Sequence, residues 1–311
     1  MRKTRLPWDT RRGDAQPFGI GPDMELTSLT DLAKAAASLG AEPLMVIVCE
    51  DGVEVAGTLA HHVTLGFGTI VLALAPGVAP PAPLPDGVHL VRLDHRPEDM
   101  ACACVNALLP GRPDGAWTAW AHNAEYLFTP FCETRTVGEA MTFCTEERRD
   151  AILTCIVDLY ARDMDPGRNG VDTTDAWMDA AGYYALARWD DDAGEVKDRQ
   201  IDIFGGLRWR FEEHIPWDRR RIDRVSMFRA RKGLMLLPDH TVSDPEMCTV
   251  SAPWHHSMTA CVASFRAAKA LATNPGSRAA IDRLDWDGSV RFDWRAQQLM
   301  DLGLMEPGQW F

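Results

Sequence analysis

Apolar positions along the chain alternate between two patterns. Leu44 to Cys49 is a continuous apolar run bounded by Pro43 and by Asp51-Gly52, as in a strand buried on both faces. Val53, Ala56, Leu59, Ala60 and Val63 then keep helical spacing until Gly66, and Thr69 to Leu74 is a second apolar run. Together these predict a β-α-β unit. The proline-rich stretch Pro76 to Pro85 leads to a third strand, Val88 to Leu93, and a helix across Met100 to Leu109. From Trp117 to Phe128 the pattern is again strand-like. Thr136-Val137-Gly138-Glu139 has capping-box spacing, so a helix should run from there to the charges of Glu146 to Asp150, followed by a long strand, Ala151 to Tyr160.

The second half is less regular. Tyr183 to Trp189 and Ser226 to Leu237 read as strands, with an acidic, glycine-containing loop from Trp189 to Asp198. Ser257 is placed to cap a helix whose apolar positions Cys261, Val262, Phe265, Ala268 and Leu271 continue to Asn274-Pro275-Gly276. Alternating strands and helices predict an α/β fold with a mostly parallel sheet flanked by helices. Residues 1–40 are expected to be a basic arm and lead-in, 41–273 the main domain, and 274–311 an irregular C-terminal extension packed back through Trp294 and Trp310.

The 311 residues, 46% hydrophobic, suffice for a sizeable core, and no apolar run of about 18 residues exists to span a membrane. Arg2, Lys3, Arg5, Arg11 and Arg12 precede no secretory apolar stretch and read as a solvated arm. A net charge of −13 argues against nucleic acid as a partner. The eight cysteines lack the paired spacing of zinc or redox sites and read as reduced core thiols, which favours a cytoplasmic location.

In a sheet of this kind, ligands bind at the carboxyl ends of the parallel strands. Glu50 and Asp51 follow the first strand, His122-Asn123-Ala124-Glu125 follows the fourth, and His214, His240 and His255-His256 come later. These are ligand types for a divalent cation that neutralises a diphosphate. His61-His62, near a helix end, reads instead as capping or surface structure. Glu125, among apolar neighbours, needs a partner, either a metal or an arginine. Arg208, Arg210, Arg219, Arg220, Arg221, Arg224, Arg229, Arg231 and Lys232 crowd one region. They suit a donor diphosphate, foremost through Arg208 and Arg210, or else pair internally with Glu212, Glu213, Asp218 and Asp223. Glu212 and Glu213, between Gly205-Gly206 and His214, are the candidates for a catalytic base.

The stretch Met45 to Gly66 resembles the opening of the family 2-like bacterial glycosyltransferases, where an apolar strand ends in an Asn-Glu pair and a helix ends in a His shortly before a Gly. Glu50 and Asp51 stand at the pair, and His62 and Gly66 at the later landmarks. Trp117 to Phe128 is similar to the strand carrying that family's Asp-x-Asp-Glu-Phe motif. Glu125 and Tyr126 match its last two positions, and His122 and Ala124 replace the aspartates. Arg224 to His240 and Trp254 to Lys269 resemble its C-terminal half. The resemblance implies a GT-A-like, Rossmann-like fold and transfer of a sugar from a nucleotide-sugar donor to an acceptor. It also implies donor contacts at Glu50, Asp51, His122 and Glu125, and a manganese or magnesium ion held by Glu125, His122, His240 and His256. Because Ala124 cannot ligate, a non-catalytic relative binding a nucleotide, sugar or protein is the alternative. A histidine-based metal hydrolase is a third reading, without H-E-x-x-H spacing to support it.

Overall fold

The computed structural model describes residues 23–162, 169–253 and 255–310. The basic segment Met1 to Arg12 and Trp254 lie outside them. In the first half, the strands are β1 (Met24–Leu26), β2 (Leu44–Cys49), β3 (Thr69–Leu74), β4 (Val88–Arg92), β5 (Trp117–His122) and β6 (Glu125–Phe128). The helices there are α1 (Leu29–Ala35), α2 (Val55–Thr64), α3 (Met100–Leu108) and α4 (Val137–Glu146). The second half contains β7 (Ala151–Tyr160), β8 (Trp177–Asp179), β9 (Tyr184–Asp190), β10 (Glu195–Phe204), α5 (Gly206–Arg210) and β11 (Asp223–Arg229). It ends with β12 (Ser251–Ala252), β13 (His255–His256), β14 (Ala260–Ser264), α6 (Arg266–Thr273), α7 (Pro275–Ala280), β15 (Ser289–Arg291) and α8 (Ala296–Asp301).

The main sheet runs β1-β4-β3-β2-β5-β11-β7-β14-β6, with β8 paired to β7 and β15 to β8. From β1 to β5 every pairing is parallel, as is β7 with β14, whereas β11 and β6 run against their neighbours. The expected mostly parallel sheet is therefore a mixed one with a parallel centre. Side-chain alternation along β2 explains its continuous apolarity. Leu44, Val46 and Val48 face a layer built with α1 and α3, while Met45, Ile47 and Cys49 face α2 and α4.

Local chemistry sets the helix starts. Asp99 accepts the Cys102 amide at 2.9 Å to begin α3, and Thr136 and Glu139 form the reciprocal capping box of α4. The helix expected from Ser257 is different: Ala260–Ser264 is the strand β14, buried between β7 and β6, and only Arg266–Thr273 is helical. The strand read to Leu237 stops at Arg229, and the acidic loop is the tip of the β9–β10 hairpin. His61 and His62 are core residues rather than caps. His61 Nε2 donates to the Leu127 carbonyl at 2.6 Å and His62 Nδ1 to the Thr58 carbonyl at 2.8 Å.

The C-terminal extension covers the outer end of the sheet. Trp294 meets Tyr126 edge-on at 4.8 Å, and Phe292, Leu299 and Met305 join Phe128, Leu159 and Cys261 in one apolar cluster. Trp310 stacks on Phe143 and packs against Phe131. The eight cysteines are free thiols, and no helix among the described residues is long and apolar enough to cross a membrane.

Candidate functional site

The strand order reverses at β2, which has β3 on one side and β5 on the other. The carboxyl ends of two such strands leave a crevice between their diverging loops. Here it opens into a cavity of about 700 Å³. Glu50, Asp51 and Val53 enter it from the end of β2, Arg266 and Lys269 from α6, Arg208 from α5, and Asp218, Arg219 and Arg221 from the segment before β11. Asp223, Asp239 and His240 complete the far wall, with Arg96 and Glu98 at another side.

Buried Asn123 holds the strand ends together. Its Oδ1 accepts the Glu50 amide at 3.0 Å, and its Nδ2 donates to Asp51 Oδ1 at 2.6 Å and to the Val53 carbonyl at 2.9 Å. Two ion pairs then link β2 to α6: Arg266 to Glu50 at 2.7 Å and Lys269 to Asp51 at 2.9 Å. Spacing of three residues puts Arg266 and Lys269 on one helix face, aimed at the same strand end. Burial opposes ionisation of Glu50, but Arg266, with His122 and Arg96, outweighs it and lowers its pKa to about 2.

The residues expected to hold a metal are arranged otherwise. Glu125 is fully buried and is gripped by Arg224, whose Nη1 and Nη2 donate to its two oxygens at 3.2 and 2.8 Å. Ser264 Oγ donates to Oε1 at 3.0 Å and the His122 amide to Oε2 at 2.9 Å. Burial opposes its ionisation, yet Arg224 and His122 hold the carboxyl well below the ordinary range. His122 Nδ1 stands 3.4 Å from Oε2, outside hydrogen-bond geometry. Burial, aided by Arg266, lowers the His122 pKa to about 4. His240 packs on Trp120 at 4.8 Å and faces Asp99, the cap of α3, at 3.3 Å. His256 sits in β13, which pairs with β12, and lines a different and smaller cavity. Among the described residues no group of three or more His, Cys, Asp and Glu is arranged to hold a metal ion. The expected cation site is thus replaced by an arginine–carboxylate pair, because Arg224 already satisfies both oxygens of Glu125.

The other candidates divide. Glu50, Asp51 and Arg208 line the cavity, with Arg208 Nε 3.4 Å from buried Asp158. Arg210 turns away to buried Asp179, donating at 2.7 and 3.1 Å, and is not among the lining residues. Glu212 and Glu213 are exposed beside Arg220 and His214 and do not line the cavity either. Most of the arginine cluster is paired internally: Arg221 with Asp223, Asp202 and Asp239, Arg229 with Asp150, and Arg231 with Asp150 and Asp244.

Six cations (Arg96, Arg208, Arg219, Arg221, Arg266, Lys269) and six carboxylates (Glu50, Asp51, Glu98, Asp218, Asp223, Asp239) line the cavity. Arg96 and Arg219 are more than half exposed and pair loosely, at 3.2 Å to Glu50 and 3.4 Å to Asp218. Such pairs contribute only about 0–1 kcal/mol and are readily exchanged for a bidentate phosphate. No protein-family model and no curated protein gives a match to this chain.

Proposed function

We propose that the chain binds a nucleotide sugar in this cavity and acts as a GT-A-like glycosyltransferase in which arginine and lysine side chains, rather than a metal ion, neutralise the diphosphate. The observation that carries the reading is the position and lining of the cavity. It lies at the reversal point of the strand order and brings cations from α5, α6 and the segment before β11 to one volume. About 700 Å³ falls within the range of small-ligand sites. The carboxylates lining the cavity suit a ligand that is hydroxylic as well as anionic, since carboxylate oxygens accept from sugar hydroxyls. Sugar transfer also needs a base for the acceptor hydroxyl. Asp218 and Asp239 take over that role from Glu212 and Glu213, because they line the cavity and the two glutamates do not.

One observation favours the non-catalytic alternative: Ala124 offers no ligand and Glu125 is locked to Arg224. Binding and turnover therefore need separate tests. Calorimetry against UDP, GDP and their sugar conjugates should show binding that persists in EDTA and weakens about tenfold or more in the double variant Arg96→Ala/Arg219→Ala. Absence of binding by every nucleotide sinks the proposal, and binding that requires manganese removes the arginine role. Binding without release or transfer of the sugar establishes the non-catalytic alternative.

A further inference from the structure

Beside the cavity, three aromatic rings from separate segments form a ladder. Tyr184 opens β9 and Phe204 closes β10, and the hairpin register sets them opposite each other. Their rings stack at 5.3 Å with planes 20° apart, and Phe204 stacks in turn on Trp217 at 5.8 Å and 27°. The middle ring is buried, whereas Tyr184 is 44% exposed and Trp217 is 70% exposed. Isolated exposed aromatics are ordinary, but a stacked set leaving two large rings open marks a contact surface.

The ladder adjoins the cavity through its chain neighbours: Trp217 is not itself a lining residue, but it stands between Pro216 and Asp218, which are. Arg220 braces this segment, lying 5.5 Å from the indole centroid and donating to the Ile215 carbonyl at 3.0 Å and to Glu212 at 2.9 Å. Asp218 and Arg219, beside the indole, are more than half exposed.

An aromatic face is electronegative and attracts the weakly positive C–H face of a pyranose ring, whose hydroxyls project at the rim. A carboxylate and a guanidinium at that rim offer an acceptor and a set of donors for those hydroxyls. A nucleobase also stacks on aromatic rings, but the exposed carboxylates of Asp218 and Glu212 call for a partner rich in hydroxyl donors. We propose that Tyr184, Phe204 and Trp217, with Asp218, form a carbohydrate subsite at the cavity mouth that holds the sugar rings of a neutral glycan acceptor. Its role as an acceptor site rests on the nucleotide-sugar reading; its capacity to bind a glycan does not.

The test is tryptophan fluorescence and calorimetry of the whole chain against maltotetraose, cellotetraose and chitotetraose, with UDP titrated in parallel. At least one tetrasaccharide should bind. Trp217→Ala should weaken it about tenfold, Trp217→Phe should restore most of the affinity, and neither should alter UDP binding. If no tetrasaccharide binds, or if Trp217→Ala leaves glycan affinity unchanged, the inference is overturned. It is also overturned if the substitution weakens UDP alone, since the platform would then read a base. Glycan binding that depends on Trp217 in a chain that ignores UDP upholds the carbohydrate subsite and removes the nucleotide-sugar reading instead.

Discussion

At the scale of single residues, the pair of Glu125 with Arg224 decides what kind of site this is. A bidentate, fully buried ion pair costs little while intact and much when one partner is removed, because the other charge stays desolvated. Glu125→Ala should therefore cost about 3–5 kcal/mol in urea denaturation while leaving any affinity for manganese unchanged; a fall in manganese affinity with stability intact would restore a metal-ligand role. The buried imidazoles make a second prediction. Burial lowers the pKa of His61 to about 4, of His62 to about 3 and of His122 to about 4. The unfolded chain takes up these protons from about pH 6.5 downward, while the folded chain resists until pH 4 or below. Acid thus favours unfolding in that window, by up to ~1.4 kcal/mol per pH unit for each imidazole. The urea midpoint should fall from pH 7 to pH 5, and an unchanged midpoint would contradict the buried neutral assignment. Glu50, whose folded pKa is lowered to about 2, adds stability present above its unfolded value and lost as pH drops below about 4.5.

At the scale of elements, the apolar runs of β2, β3 and β7 and the capping box of α4 were legible because each is a local rule. Thr136→Ala breaks the capping box and should cost about 1 kcal/mol in thermal denaturation; no change would mean that packing alone sets the start of α4. The stretch from Ala260 to Leu271 was misread for a physical reason. A short strand buried on both faces has no period of its own, and β14 with its following helix imitates one longer helix. That error hid Arg266 and Lys269 from the site, since only with β14 in the sheet does α6 start at a strand end, where its face meets the end of β2. Asn123 was placed at a strand end by the sequence, but its role there was not readable, because its partners Glu50 and Asp51 are far away in sequence.

At the scale of the whole molecule, the location of the cavity at the strand ends followed from the alternation of strands and helices, but its lining did not. Its cations come from segments spread between Arg96 and Lys269, and no spacing rule links residues that only the closed sheet brings together. Trp294 and Trp310 are part of the buried core. Trp294→Ala should cost about 3–5 kcal/mol, measured by urea denaturation; a loss below 1 kcal/mol would show the extension to be a dispensable cover.

The order of strands in the sheet also carries a consequence for synthesis. β5 is flanked by β2 and β11, and β6 is paired to β14, so Phe128 waits for Cys261 and Thr118 for Phe228. A chain leaving the ribosome amino end first presents these segments with open edges until most of it has been made. Unpaired strand edges recruit other chains, and closures between distant segments are slow. Nascent and truncated forms ending before Ser264 should therefore associate more readily than the finished chain, in which β5 lies inside the sheet and β6, its last strand, is paired to β14.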